Sequence, residues 1–463
     1  MNNLTHVIAA VSTPPGKGGV AIIRMSGEGA FEIAERVFLP ISGRRFSEYS
    51  PRVQVYGHIL HQGEKIDDVL ATRFPGPHSY TGEDTVEIGC HGGVLVTSLV
   101  LEALLSAGAH PATAGEFTRR AFINGRLSLT EAEAISDLLE AKSREQLKLS
   151  GGEARSRLSG RIAEIRGSLV DLMSSIYARI DYPDEDLGDF TDSEVLARLN
   201  NIKEECERLG STYSTGRAIS EGVATVICGK PNAGKSSLYN LLLGEDAAIV
   251  TDIPGTTRDV LKSSLPLGRV MLNISDTAGI RECEDMDAVE RIGVAKSRDI
   301  IAKSELLFAI FDLSREFDED DELIISAIKD TSAPKIALLN KVDLPENFDR
   351  SRLVGFDEII EISARVKGDE AIKSLTACVN KMFTDERLVA GQDAILSSAR
   401  QHAALSRCTE LVSAAIESLT IGFPQDAVSG DVERALGAIS ELDGRAVSEE
   451  IVSDIFSKFC VGK

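Results

Sequence analysis

ATVICGKPNAGKSSL, residues 224–238, is the stretch on which the reading of this chain turns. An apolar run passes directly into Gly229-Lys230-Pro231-Asn232-Ala233-Gly234-Lys235-Ser236, and helix-forming text follows at once. This is the GxxxxGK[ST] spacing in its required strand–loop–helix setting. Glycines at the two ends let the backbone curl, so that consecutive N–H groups point at phosphate oxygens. Lys235 supplies a point charge to the outer phosphates, and the Ser236 hydroxyl is suited to Mg²⁺.

Reading outward, the chain repeats the strand-then-loop pattern three more times. VMLNIS (270–275) delivers Asp276-Thr277-Ala278-Gly279; the Asp belongs near Mg²⁺, and the Gly N–H can sense a γ-phosphate. KIALLN (335–340) ends in Asn340-Lys341-Val342-Asp343. A carboxylate at 343 can accept from guanine N1–H and N2–H together, which adenine cannot offer, so the nucleotide is GTP. EIIEI (358–362) precedes Ser363-Ala364-Arg365, which completes a base pocket. Between the first two motifs lies Thr251-Asp252-Ile253-Pro254-Gly255-Thr256-Thr257-Arg258-Asp259. It reads as a switch segment that orders around the γ-phosphate, with Thr257 as the second hydroxyl on Mg²⁺. The expected GTP-binding set is therefore Asn232 to Ser237, Thr251 to Thr257, Asp276 to Gly279, Asn340, Lys341, Asp343, Ser363, Ala364 and Arg365.

Hydrolysis needs a positioned water and a cation between the β- and γ-phosphates. The position after the Asp-x-x-Gly turn, where many such enzymes carry Gln, is Ile280 here and cannot hydrogen-bond water. Glu290, in VERIG, is the candidate that takes over, beside Lys235 and Asn232 as catalytic residues. For the cation, Arg258, Arg281 or a monovalent ion held by Asn232 and switch-loop oxygens all satisfy the chemistry.

The 463 residues exceed one hydrophobic core and suggest two to four domains. Fifty basic against 72 acidic side chains leave a formal charge of −22. That argues against a surface built as a whole to grip nucleic-acid phosphates. Cys90, Cys206, Cys228, Cys283, Cys378, Cys408 and Cys460 contain no Cys-x-x-Cys pair. They fit free thiols in a reducing cytoplasm. No run of about 18 apolar residues suggests a membrane span, and the N-terminus lacks a signal-peptide pattern.

The fold class expected is multidomain, α+β and α/β. Residues 1–120 alternate short strands (20–27, 53–60, 69–74, 85–93) with helical text at 29–38 and 94–107. Helical text covers much of 121–220, opening at a capping box of Thr130 and Glu133 and an apolar face of Ala134, Ile135, Leu138 and Leu139. It resumes at 192–209 on Val195, Leu196, Leu199, Ile202 and Leu209, after the acidic IDYPDEDLGDFTD (180–192), read as a solvated turn with metal binding as the minor alternative. Residues 221–379 alternate strand and helix as a mostly parallel sheet, and helical text returns at 380–463. The two helical stretches flank the inserted domain and can form one discontinuous bundle. The last helix places Val447, Ile451, Val452, Ile455, Phe456 and Phe459 on one face, and the acidic run 318–322 reads as an exposed loop.

GKPNAGKSSL with TDIPGTTRDV and DTAGIRE resembles the TrmE-Era-Der branch of P-loop GTPases. Outside that domain, PPGKGGVAIIRMSG, FPGPHSYTGEDTVEIGCHGG, GEFTRRAFINGRLSLTEAEAI and the terminal CVGK resemble the MnmE (TrmE) family of tRNA-modification GTPases, over essentially the whole chain. The resemblance implies a homodimer with an N-terminal tetrahydrofolate-binding and dimerisation domain (1–120), a helical domain in two halves (121–220 and 380–463) and an inserted G domain (221–379). It implies joint action with the flavoprotein MnmG (GidA), in a heterotetramer, at C5 of wobble uridine 34 of tRNA, where an aminomethyl or carboxymethylaminomethyl group is installed. The one-carbon unit would come from 5-formyl- or methylene-tetrahydrofolate. It implies K⁺-stimulated hydrolysis, with K⁺ held by Asn232, Thr251, Ile253 and Thr256, Mg²⁺ by Ser236 and Thr257, and Glu290 organising hydrolysis. Arg24, Glu87, Arg126 and Lys463 match folate-contacting positions. Two departures stand out: Arg126 where the family more often has Lys, and Val461 where Ile is usual. For Cys460, a reactive thiol and a packing role both remain open. The competing class is a GTP-regulated ribosome-assembly switch without folate chemistry, since the G domain alone serves both.

Overall fold

The computed structural model describes residues 6–181, 191–244, 262–275, 300–364, 366 and 368–462. The chain divides into two compact units, Met1–Ser136 with Leu436–Lys463, and Asp137–Ala435.

In chain order the first unit holds β1 (Ile8–Val11), β2 (Ala21–Ser26), α1 (Ala30–Val37), β3 (Phe38–Pro40), β4 (Val55–His61), β5 (Glu64–Phe74), β6 (Thr85–Cys90), α2 (Val94–Ser106), β7 (His110–Pro111), α3 (Glu116–Ile123) and the start of α4 (Leu129–Glu140). The strands form one sheet in the order β3-β4-β5-β6-β2-β1-β7. Side chains alternate across it. Ile23, Met25, Val86 and Ile88 point to one face and are buried with Ile33 and Ala34 of α1 and Val100 and Leu104 of α2. Cutting Ile88 to Ala there costs about 2–5 kcal/mol, by transfer plus cavity. The opposite face, carried by Ile8 and Ala10, is met by Phe117 of α3 and Tyr80. Arg24 is in register with Ala10 on one side and Glu87 on the other.

The start of α4 departs from the sequence reading. Ser128, not Thr130, closes the capping box: Glu131 N donates to Ser128 Oγ at 3.2 Å, and Ser128 N to Glu131 Oε2 at 2.8 Å. Thr130 lies buried and donates to Leu442 O at 2.6 Å. The buried face is Leu129, Ala132 and Ile135, while Leu139 is exposed. The last helix of the chain packs on it with Val452 and Phe456, Phe459 joins them from just beyond the helix, and Ile451 turns to solvent.

The second unit opens with α5 (Arg144–Ser150), α6 (Gly152–Asp181), α7 (Asp192–Gly210) and α8 (Tyr213–Ser220). It continues through β8 (Val223–Gly229), α9 (Lys235–Leu243), β9 (Lys262–Leu267), β10 (Val270–Ser275), β11 (Leu306–Asp312), α10 (Glu319–Ile328), β12 (Lys335–Asn340), β13 (Glu358–Ile362) and α11 (Gly368–Phe383). It closes with α12 (Ala399–Thr420) and most of α13 (Gln425–Asp443); α14 (Glu449–Ser457) is the last helix already described. α7 buries Val195, Leu199, Ile202, Cys206 and Leu209, and α12 buries Leu405, Cys408, Val412, Ala415 and Leu419. These alternating three- and four-residue steps give each helix one apolar seam. The two helices pack together across the inserted sheet domain. Thr212 Oγ1 accepts from Leu396 N at 3.0 Å and Gln425 Nε2 donates to Asp192 Oδ1 at 2.7 Å, so each bond joins the chain segment before the insertion to the one after it.

The inserted sheet has the described order β13-β12-β11-β8-β10-β9, parallel except for β9. Every residue of β11 is buried, as expected of a strand covered on both faces. β8 has β10 on one side and β11 on the other. The order reverses there, and the crevice beyond such a strand is where open α/β sheets bind ligands. No helix among the described residues is long and apolar enough to cross a membrane.

Candidate active site

β8 ends at Gly229, and α9 begins at Lys235, so Lys230 to Gly234 form the loop between them. Asn232 is held at φ 65°, an uncommon conformation for a residue with a side chain and one that Asn tolerates. Gly234 has φ 113°, and a Cβ there would fall 2.0 Å from Asn340 Nδ2. Only glycine fits both the backbone angle and that close approach. Gly229 is similarly constrained, since its Cβ would stand 2.7 Å from Ile310 O. The loop thus presents its amides above the N-terminus of a helix, an anion-binding arrangement.

Lys235 Nζ donates to Gly229 O and Lys230 O, each at 2.7 Å, and so lies folded over the loop. Burial pushes its pKa below the ordinary lysine range. Cys228, just before the loop, is pushed up to about 12 by burial and is an inert packing thiol. Ser236 is exposed on the first turn of α9. Ala233 is buried, and Ser237 follows on the helix.

The base pocket is assembled from the ends of β12 and β13. Asn340 is buried; its Nδ2 donates to Ala233 O at 2.8 Å, and its Oδ1 accepts from Ala364 N at 3.2 Å. One side chain therefore ties the phosphate loop to the base-side loop. Ser363 Oγ donates to Asp343 Oδ1 at 2.6 Å, which fixes the carboxylate expected to read guanine. Lys341 sits at φ 70°, and its ammonium binds Asp312 at the end of β11. Burial raises the Asp312 pKa, but hydrogen bonds from Lys341 and Ser314 outweigh it and hold the carboxyl below its ordinary range. Nothing local in the sequence marks Asp312 apart from its place at a strand end.

The acidic run 318–322 is not an exposed loop. Asp318 caps α10, the next residues form its first turn, and Asp321 is buried. Both aspartates bind Lys230 of the phosphate loop. Thr251 to Thr257, Arg258, Asp276 to Gly279, Ile280, Arg281, Glu290 and Arg365 lie outside the described residues, as do Lys463 and residues 182–190 of the acidic segment.

A second cluster lies in the first unit. Arg24 Nε and Nη2 both reach Glu87 Oε1, at 2.9 and 2.8 Å. The guanidinium stands 5.2 Å from the Tyr80 ring centroid and 5.8 Å from that of Phe117. Arg126 lies against Gly82, where a Cβ would come within 3.2 Å of its Cγ. Arg24, Glu87 and Arg126 are thus gathered around the loop of residues 75–84. A buried polar network holds that loop: Ser26 Oγ binds Thr81 Oγ1 at 2.7 Å and Glu83 Oε2 at 2.9 Å, and Arg120 binds Glu83 at 3.1 Å and Glu116 at 3.0 Å. Tyr80, Phe117 and Arg120 carry no local signal in the sequence, because Tyr80 lies in a loop and Phe117 and Arg120 on α3, and only tertiary packing brings them to Arg24 and Glu83. The C-terminal tail arrives nearby in the same unit: Ser12 Oγ donates to Gly462 O at 2.9 Å, and Val461 bridges Ala114.

Comparison with known proteins gives the family of the chain. Residues 7–126 match the family described as GTP-binding protein TrmE N-terminus, and residues 129–460 match the MnmE helical domain. The chain is 38% identical over 463 residues to the tRNA modification GTPase MnmE of Clostridioides difficile, covering 99% of this chain and 100% of that one. It is 40% identical over 467 residues to the protein of the same name from Carboxydothermus hydrogenoformans, covering 99% and 100%. Among solved structures, Aquifex aeolicus Era bound to GDP·AlF4⁻ aligns with 41% of this chain and 66% of its own at 24% identity and a TM-score of 0.25. With end-to-end relatives, both family matches and the nucleotide-binding loops in order, this chain belongs to the MnmE family of tRNA modification GTPases, enzymes that bind GTP with Mg²⁺.

Proposed function

We propose that this chain is a potassium-stimulated GTPase that acts in the cytoplasm as a homodimer with the flavoprotein MnmG, in a heterotetramer, to modify C5 of wobble uridine 34 in tRNA. A tetrahydrofolate derivative, 5-formyl or methylene, donates the one-carbon unit of the aminomethyl or carboxymethylaminomethyl group. The observation that carries the reading beyond GTP hydrolysis is the Arg24–Glu87 pair, 17% and 29% exposed, flanked by two aromatic rings. Its donor set suits a pterin. A carboxylate accepts from the N–H edge of the ring, and Arg24, Arg126 and Lys463 are cations suited to the carboxylates of the glutamate tail. The tRNA contacts belong mainly to the partner, given a chain of net charge −22.

In the G domain, Lys235 exchanges its two loop carbonyls for the outer phosphates of GTP. Asp343, held by Ser363, reads the guanine edge. Ser236 and Thr257 hold Mg²⁺, which neutralises phosphate charge when bound. Asn232, Thr251, Ile253 and Thr256 would hold K⁺, which would supply transition-state charge, and Glu290 would orient the attacking water.

The test is reconstitution. The chain is combined with purified MnmG, unmodified tRNA, GTP, methylene-tetrahydrofolate and glycine as the amine donor, in KCl or in NaCl at equal ionic strength, and nucleosides are analysed by mass spectrometry. Modified uridine that requires both the folate and KCl is expected. GTP hydrolysis with no modified uridine would overturn the folate reading, and equal rates in the two salts would return the transition-state charge to Arg258 or Arg281.

A further inference from the structure

Lys230 occupies the second position of the phosphate loop, where the motif sets no residue type. Its side chain turns away from the loop amides and enters the capping box of α10. Nζ donates to Asp318 Oδ2 at 2.8 Å and to Asp321 Oδ2 at 2.6 Å. The two carboxylates also hold the start of that helix. Asp318 Oδ1 accepts from Asp320 N at 3.0 Å, and Asp321 Oδ2 accepts from Asp318 N at 3.2 Å. Asp321 is 2% exposed, Lys230 is 11% exposed, and Asp321 Oδ1 has no hydrogen-bond partner among the described residues. The charge of Asp321 therefore leans on Lys230, and such a buried pair is costly to break from one side. At the other end of the residue, the Lys230 carbonyl receives Lys235 Nζ at 2.7 Å and Ala233 N at 3.2 Å. One residue thus joins the first limb of the phosphate loop to the rigid N-terminus of a helix some 90 residues along the chain.

We propose that Asp318 and Asp321 are positioning residues for GTP, which act through Lys230 to hold the phosphate loop in its binding conformation before nucleotide arrives. A loop ordered in advance binds without the cost of ordering it. Loss of the clamp therefore weakens binding of GDP and GTP by the same factor, because both need the loop amides. It leaves the chemical step untouched, because neither aspartate meets the reacting atoms.

The experiment compares the full-length chain with Asp321→Asn, Lys230→Arg and the double variant Lys230→Met/Asp321→Asn, in which no buried charge is left alone. GDP and GTP dissociation constants are measured with fluorescent analogues, and steady-state kcat and KM are corrected for active sites titrated with labelled GDP. The expected result for Asp321→Asn is a rise of about tenfold in both dissociation constants and in KM, with kcat per active site within about twofold. Lys230→Arg, which keeps donors for both carboxylates, restores affinity to within about threefold of the parent. The double variant falls no further than Asp321→Asn, because the two residues act as one unit. Parental affinity in Asp321→Asn, a lowered kcat at unchanged KM, or additive losses in the double variant would each overturn the proposal. A lower melting temperature with unchanged KM and affinity would assign the clamp to folding alone and overturn it equally.

Discussion

The phosphate loop and the Arg24–Glu87 cluster place charged groups in opposite ways. From Gly229 to Ser236 the residues are consecutive, and the geometry that matters is made by their own backbone: φ 65° at Asn232, φ 113° at Gly234, and the helix that starts at Lys235. Arg24 and Glu87 are 63 residues apart and meet only because β2 pairs with β6 in one register. Slipping β2 by one residue against β6 would put the two side chains on opposite faces. A local site carries its geometry in its motif, whereas a dispersed site borrows it from the sheet. The first still leans on a few distant groups, Asn340 on Ala233 and Asp318 and Asp321 on Lys230, whereas the second has the Ser26, Thr81, Glu83 and Arg120 network around it.

Three changes would sharpen or break that contrast. The largest effect is expected from Lys235→Ala, with GTP turnover falling at least about a hundredfold, because a single charge over the phosphates is removed. Retained turnover in a phosphate-release assay would show that the loop does not work as its motif implies. Next comes Glu290→Ala, expected to slow single-turnover hydrolysis about tenfold or more while GTP affinity changes by less than about threefold. Equal losses in both would make Glu290 structural.

The smallest effect is expected at Asp312, whose folded pKa lies below its ordinary value of 3.8. A depressed carboxyl contributes stability that is complete above the unfolded value and is lost as pH falls through the folded one. Asp312→Asn should therefore cost about 1 kcal/mol at pH 7, and the difference from the parent should shrink as pH drops below 3.8. Melting curves at the two ends of that range check it; a difference independent of pH would exclude the Lys341–Asp312 charge pair as its source.

What the sequence made legible follows the same division. The phosphate loop, Asn340, Asp343 and Ser363 could be named because each follows an apolar strand that ends where the chemistry begins, and β8, β12 and β13 end there. The start of α4 was misplaced by two residues because Ser128-x-x-Glu131 and Thr130-x-x-Glu133 share one spacing. A tertiary bond from Thr130 to Leu442 O decides between them. Asp321 read as solvated because its neighbours are acidic, and its partner Lys230 lies far off in sequence. Arg24 and Glu87 came only through family resemblance, since alternation along β2 and β6 says which face they occupy and not that they meet.

The central claim is that one chain joins a GTPase to a folate site in its N-terminal unit, and calorimetric titration with 5-formyltetrahydrofolate tests it most directly. The parent and Arg24→Ala proteins are titrated side by side, after each has been shown to hydrolyse GTP at the same rate. The expected result is saturable binding to the parent and none detectable in the variant, with turnover unchanged. No binding to a folded, GTP-hydrolysing parent, or equal binding to both proteins, would contradict the assignment of Arg24 and Glu87 to folate.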